Sequence, residues 1–378
     1  MSGREVPSLL LNDEQKMLAK TVQEIVRERA PAARIRAFRD TNDPVGFSRS
    51  LWKEMAELGW LGLQIPEAYG GMGLGFFDLC VILEQTGREL MPEPFVSTLL
   101  LGTQALLLGG SEAQKKSLLP GVASGDLIVS VACEQAAGHF GSSIVARKTA
   151  DRYELRGEIR HVLDAHLAHR ILVLAATPEA SSTLFVIDPA QPEVSVTRQH
   201  RIDGLNTGIV RLDDLTVGKD DAIGSVDEGA RLVATVLDRA AVGLAAQMLG
   251  ASEQAFADTI AYLKEREQFD VPIGSFQALQ HRAVSVFTEI ALTRSVVRAA
   301  ARAVDESPQD VPRLSSLAKA IASDTFLLSA KEAIQMHGGI GVTDEHDIGL
   351  YLKRAQATYM TFGEPSRHRQ RWAELHGY

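Results

Sequence analysis

Three glycines in four positions, Gly338, Gly339 and Gly341, follow Gln335 and His337 at the end of an apolar run with helical spacing. One glycine there is an ordinary helix cap. A cluster frees the backbone to adopt positive φ and lets a ligand lie against the main chain. The chemistry to expect is contact with a bound group. A second permissive stretch is Cys133 to Ser143, where small residues admit a flat ligand. Arginines and backbone N–H groups can hold an anion locally even though the net charge is −9. That charge argues against a nucleic-acid footprint, which needs a basic face. The ten histidines show no metal-ligand pairing, and there is no G-x-G-x-x-G between strand and helix, no P-loop, HExxH, CxxC or GxSxG.

The elements that must position these residues fall into three blocks. Helices are expected from Asn12 or Asp13 to Arg29, from Ser48 to Leu58, from a cap at Asp78 to Glu89, and across Ser97–Leu119 with a break at Gly109-Gly110. Between the second and third lies a Gly/Pro-dense loop, Gly59 to Leu74. Short β-rich runs follow: 127–132, 144–149, 152–156, 160–163, 171–175, 184–187, 194–199 and 208–215, with Gly157 among the turn residues. From Glu228 the pattern is helical again, to Glu265, then 278–305 and 313–337, with Pro308 and Pro312 in the link, a further helix, a Gly-Glu-Pro break and a terminal helix. The fold class is α+β: a helical domain over 1–124, a β-sandwich or barrel over 125–224, and a C-terminal four-helix bundle over 225–378. Apolar content of 45% and charged content of 23% suit a soluble protein. Cys80 and Cys133 are too few for a disulfide framework. The N-terminus lacks a signal-peptide pattern and no apolar run reaches spanning length, so a cytoplasmic protein, without membrane or nucleic-acid partners, is expected.

Four stretches carry a resemblance. Ile65 to Gly73 is similar to a P-E-x-x-G-G-x-G segment. Arg266 with Phe269, Ile273 and Gln277 resembles R-x-x-F-x-x-x-I-x-x-x-Q. Gln335 to Gly341 resembles Q-x-x-G-G-x-G, and Tyr351 to Ala355 resembles the helix leading to the end of an active site. In order and at these separations they resemble the flavin-dependent acyl-CoA dehydrogenase family over nearly the whole chain. The resemblance implies FAD, an acyl-CoA substrate and electron-transfer flavoprotein as acceptor. It implies Arg266 on the pyrophosphate, Phe269, Ile273 and Phe276 packing the ring systems, Gln268 and Gln277 at the cofactor, and Gln335, Gly338 and Gly339 at its adenine-ribose end across a subunit boundary.

The resemblance also implies a carboxylate base for removing the α-proton of the thioester. The commoner family position falls on Gly363, with Glu364 next to it; the alternative, on the long helix, falls on Ala240, with Asp238 the nearest carboxylate. The family's W-[IV]-T strand reads His161-Val162-Leu163, without the hydroxyl that meets the flavin. These departures resemble bacterial members that form α2β2 tetramers with a paralogous subunit, associated with bulky acyl groups including steroid side chains. The first expectation is such a subunit, with the partner supplying the base. The alternatives are a self-sufficient homotetramer using Glu364 or Asp238, and a non-catalytic structural subunit.

Overall fold

The computed structural model describes residues 9–136, 139–177 and 181–378. The helices are α1 Asp13–Arg29, α2 Arg34–Asp40, α3 Arg49–Glu57, α4 Phe76–Arg88, α5 Thr103–Gly109, α6 Glu112–Ala123, α7 Gly229–Glu265, α8 Gln277–Glu306, α9 Val311–His337, α10 Ile348–Met360 and α11 Pro365–Glu374. The strands are β1 Val129–Ala132, β2 Glu134–Ala136, β3 His139–Gly141, β4 Val145–Thr149, β5 Arg152–Leu163, β6 Arg170–Ala176, β7 Ser182–Ile187, β8 Val194–His200, β9 Asn206–Gly218, β10 Ala222–Ile223, β11 Glu267–Gln268 and β12 Val271–Pro272. The order along the chain is helical, β, helical, as expected. By compactness two units form, interleaved in sequence: residues up to Ala37 with Phe76–Met91 and Ala241–Tyr378, and Phe38–Gly75 with Pro92–Ala240.

The second unit is built on one eight-stranded sheet in the order β10-β7-β6-β4-β5-β9-β8, with β1 added parallel to β6. Three strand steps separate β7 from β5, about 14 Å on a flat sheet. Yet the rings of Tyr153 and Phe185 lie 5.2 Å apart. The sheet therefore curls around one apolar core, to which Leu155, Ile159, Val173, Phe185, Val210 and Leu212 belong. This is the expected compact β domain. Residues 152–163 form one strand where two runs separated by Gly157 were expected. Gly157 is not a turn. It sits at φ +139° beside a register shift, where a Cβ would meet the Ser143 carbonyl at 2.2 Å. A bulge bends a strand without ending it.

The first unit is a helix assembly in which α4 crosses α7. Two glycines make that crossing close. A Cβ on Gly87 would stand 2.1 Å from the Gln247 carbonyl, and one on Gly250 would stand 1.7 Å from that of Glu84. Residues 241–246 of α7, all small or aliphatic, are buried. The N-terminus of α4 lies at Phe76, two residues before the expected Asp78 cap. Its Phe76 and Phe77 N–H groups donate to the Asp305 carboxylate at 2.8 and 2.9 Å, so a distant side chain serves as the cap. Pro312 lies inside the first turn of α9, where its missing N–H costs nothing. Contrary to expectation, α7 holds a stretch long and apolar enough to cross a membrane; 72% of that stretch is buried, as in a core helix.

Candidate cofactor and acyl-thioester site

The end of α7 runs directly into the arginine segment. The Arg266 N–H donates to the Tyr262 carbonyl, and the Ile273 N–H returns to the Arg266 carbonyl at 2.8 Å. Between them β11 and β12 pair, Gln268 opposite Val271, so Phe269 and Asp270 form a two-residue turn. Both have positive φ, +56° and +60°, the geometry that favours Asn-Gly rather than Phe-Asp. Phe269 is nonetheless 87% exposed, with its ring edge-to-face against Phe276 at 6.1 Å. Arg266, Gln268 and Gln277 are exposed too, and Ile273 is half-buried. Among the described residues the Gln268 amide donates only to its neighbour's carbonyl, at 2.8 Å. Aromatic rings, a guanidinium and amides thus face outward on a strained, tightly hydrogen-bonded hairpin.

The glycine loop begins where α9 ends. Gly338 has φ +65°, and a Cβ on Gly338 or Gly339 would meet nothing within 4 Å, so the backbone is open on that side. Gln335 is exposed on the last turn of α9. His337 is buried; its Nδ1 donates to the Ala333 carbonyl at 2.7 Å, and burial pushes its pKa down. Its ring stacks on Tyr262 at 4.4 Å and meets His346 at 4.6 Å. Tyr262 lies one helical turn before Arg266. The stack therefore brings the arginine hairpin and the glycine loop to the same end of this unit. Sequence reading gave neither Tyr262 nor His337 this role. The only signal for it was an aromatic residue one turn before the arginine.

The two candidate carboxylates differ. Glu364 is half-buried at the N-cap of α11 and makes no side-chain capping bond. Among the described residues its carboxylate has no hydrogen bond or ion pair. Asp238, on α7 in the other unit, is 7% exposed and has a partner of its own. On β5, His161 is exposed at φ +59° within a second register shift, and Leu163 is half-buried. The Ala137-Gly138 part of the small-residue loop lies outside the described residues.

The helical, β and helical blocks thus carry an outward aromatic-arginine hairpin and an open glycine loop at one end of the first unit. Family models for the acyl-CoA dehydrogenase N-terminal and C-terminal domains match residues 12–126 and 227–374. The chain is 30% identical to the acyl-CoA dehydrogenase IpdE2 of Mycobacterium tuberculosis, covering 93% of this chain and 94% of that protein. It is 31% identical to a chain in the structure of a variant of the Tcur3481-Tcur3483 steroid acyl-CoA dehydrogenase, with a TM-score of 0.87 over 97% of this chain and 98% of that one. It is 25% identical to a chain of the ChsE4-ChsE5 complex from Mycobacterium tuberculosis, with a TM-score of 0.88 over 98% and 99%. The chain belongs to the acyl-CoA dehydrogenase family, and FAD is its cofactor.

Proposed function

We propose that this chain is a subunit of an acyl-CoA dehydrogenase that works with a paralogous partner in an α2β2 assembly, on a thioester with a bulky acyl group. Arg266, Gln268, Phe269, Ile273, Phe276 and Gln277, with Gln335, Gly338 and Gly339, serve the adenine and pyrophosphate end of an FAD bound mainly on the partner. The observation that carries this reading is the exposed Phe269–Phe276 pair beside open glycine backbone, because aromatic rings held outward at a conformational cost fit a ligand better than a core. The Arg266 guanidinium suits a pyrophosphate as a planar, permanently charged fork. Leu163, without a hydroxyl, is a poor neighbour for a flavin ring, which favours a ring held by the partner. Two of the similar solved structures carry paired-chain names, which supports a mixed assembly. The division at 124 and 224 is proposed as the family's three domains.

FAD, when bound, supplies the acceptor for two-electron oxidation of the Cα–Cβ bond. The first expectation put the base on the partner; the unengaged carboxylate of Glu364 is the reason to propose it on this chain instead, which otherwise contributes binding. Of the two candidates Glu364 is favoured, because Asp238 is buried and engaged. An electron-transfer flavoprotein is the proposed acceptor.

The test is to purify the chain alone and with its paralogue and record the visible spectrum. Flavin absorbance in the mixture alone is expected; stoichiometric flavin and dehydrogenation by the chain alone would sink the mixed assembly. Glu364→Gln in the mixture is expected to remove turnover. Undiminished turnover in that variant and in Asp238→Asn would put the base on the partner.

A further inference from the structure

Lys319 is fully buried on α9. Its Nζ lies within hydrogen-bond distance of three acceptors: the Ser323 hydroxyl at 2.9 Å, the Gly363 carbonyl at 3.0 Å and the Tyr359 carbonyl at 3.3 Å. Among the described residues no carboxylate lies within ion-pair distance of it. A charge held in a core by neutral groups alone is a costly way to fill space, and a methionine would do so without the desolvation penalty. Burial pushes its pKa down to about 7, while Asp324 pulls it up.

The two carbonyls belong to one feature. Tyr359 lies in the last turn of α10, and Gly363 immediately precedes Glu364. Between them the chain takes positive φ twice, +62° at Phe362 and +99° at Gly363. Left-handed backbone at a phenylalanine persists only where its surroundings over-determine it. The Phe362 carbonyl is held as well, by His368 Nε2 at 2.9 Å. Successive carbonyls of the turn are thus gripped by side chains from two helices, α9 and α11. Among the described residues the Glu364 carboxylate itself has no bonding partner, so backbone geometry is what aims it.

We propose that Lys319 is a positioning residue for the base: by holding the Tyr359 and Gly363 carbonyls, its ammonium fixes the turn from which Glu364 projects toward the acyl thioester. The assignment rests on Glu364 as the base, and acts through the backbone rather than by touching substrate.

The experiment uses the flavin-containing assembly and the acyl-CoA thioester, from a panel of octanoyl-CoA and polycyclic acyl-CoAs, that the wild type turns over fastest. Three variants are compared: Lys319→Met, Ser323→Ala and Glu364→Gln. Lys319→Met is expected to lower kcat about tenfold or more with KM within about twofold, since small displacements of a reacting group cost rate rather than binding. Amide hydrogen exchange is expected to quicken across 360–364 and to stay unchanged in the rest of α9 and α10. Ser323→Ala keeps the amine and removes one acceptor; a smaller kcat loss is expected, and it decides the matter if Lys319→Met does not fold. Wild-type kcat in both, with Glu364→Gln inactive, overturns the role of Lys319 and leaves the functional reading intact. A fall in kcat matched by a rise in KM and by faster exchange throughout the unit also overturns it, as mere destabilisation. Wild-type turnover in Glu364→Gln overturns the reading beneath.

Discussion

At the scale of residues, the hairpin tip and a buried aspartate pull against stability in measurable ways. Phe269 is exposed and left-handed, a conformation that costs a non-glycine residue about 1–2 kcal/mol. Phe269→Gly is therefore expected to leave the chain as stable or more so by about 1 kcal/mol, while lowering the flavin content of the assembly. Denaturant unfolding and the ratio of visible to ultraviolet absorbance check the two halves; unchanged flavin content would remove Phe269 from the cofactor site. Asp164 is 8% exposed and accepts the Ser97 hydroxyl at 2.6 Å. Burial raises its pKa from 3.8 to about 6. Between those values the folded state keeps a proton that the unfolded chain has released, so stability falls as pH rises through this window. The loss amounts to at most about 3 kcal/mol. Asp164→Asn has no such proton, so wild type is expected to lose stability relative to the variant as pH rises from 4 to 6, with the gap constant above that. Parallel melting curves across this range would refute the shift.

Element packing turns on contacts that sequence patterns do not encode. Gly250 faces the α4 backbone with 1.7 Å between its notional Cβ and the Glu84 carbonyl oxygen, so no side-chain rotation can relieve a methyl group there. Gly250→Ala is expected to destabilise the chain by about 3 kcal/mol or to prevent folding, measured by urea unfolding, whereas Gly339→Ala, facing open space, is expected to change stability by under about 0.5 kcal/mol. The sequence marks Gly339 by its cluster, but nothing in it marks Gly250 as the point of closest helix approach. The same limit explains which elements were legible. α1, α3, α6 and α7 announce themselves by caps and apolar spacing, and Asn12, Ser48 and Ser111 do cap their helices. The α4 start was misplaced because its cap is Asp305, more than two hundred residues away. The β5 strand was split because a glycine at a bulge and a glycine at a turn have the same local signature. The parallel β1–β6 pairing depends on long-range register and has no local mark. The arginine hairpin and the glycine loop were readable as separate motifs. Their meeting through Tyr262 and His337 was not, because a stacking contact between residues 75 positions apart leaves no periodic trace.

At the scale of the whole molecule, the solitary chain leaves apolar surface that a mixed assembly would cover. On α8, Val284 is 63% exposed, Phe287 57% and Leu292 55%, and the first two share a face by their spacing of three. A helix that shows large apolar side chains on its outer side is a helix awaiting a partner. The cofactor residues proposed for the neighbour's FAD precede this face directly, since Phe276 caps α8 and Gln277 begins it. Assembly and flavin retention should therefore fail together. The double variant Val284→Glu, Phe287→Glu adds two carboxylates at largely exposed positions and gives up the contact of the Phe287 ring with Phe256, 6.2 Å away, so as a lone chain it is expected to keep its circular dichroism and to lose no more than about 1.5 kcal/mol of stability. Mixed with the paralogue, it is expected to elute as separate chains by light scattering and to lose its flavin, because two charges buried without partners cost more than an interface of this kind returns. A variant that still forms the tetramer and keeps its flavin would show that the α8 face is not the contact and would move the search to another surface. One that assembles yet loses flavin would separate the cofactor site from the interface, against the reading in which this chain completes its partner's FAD pocket.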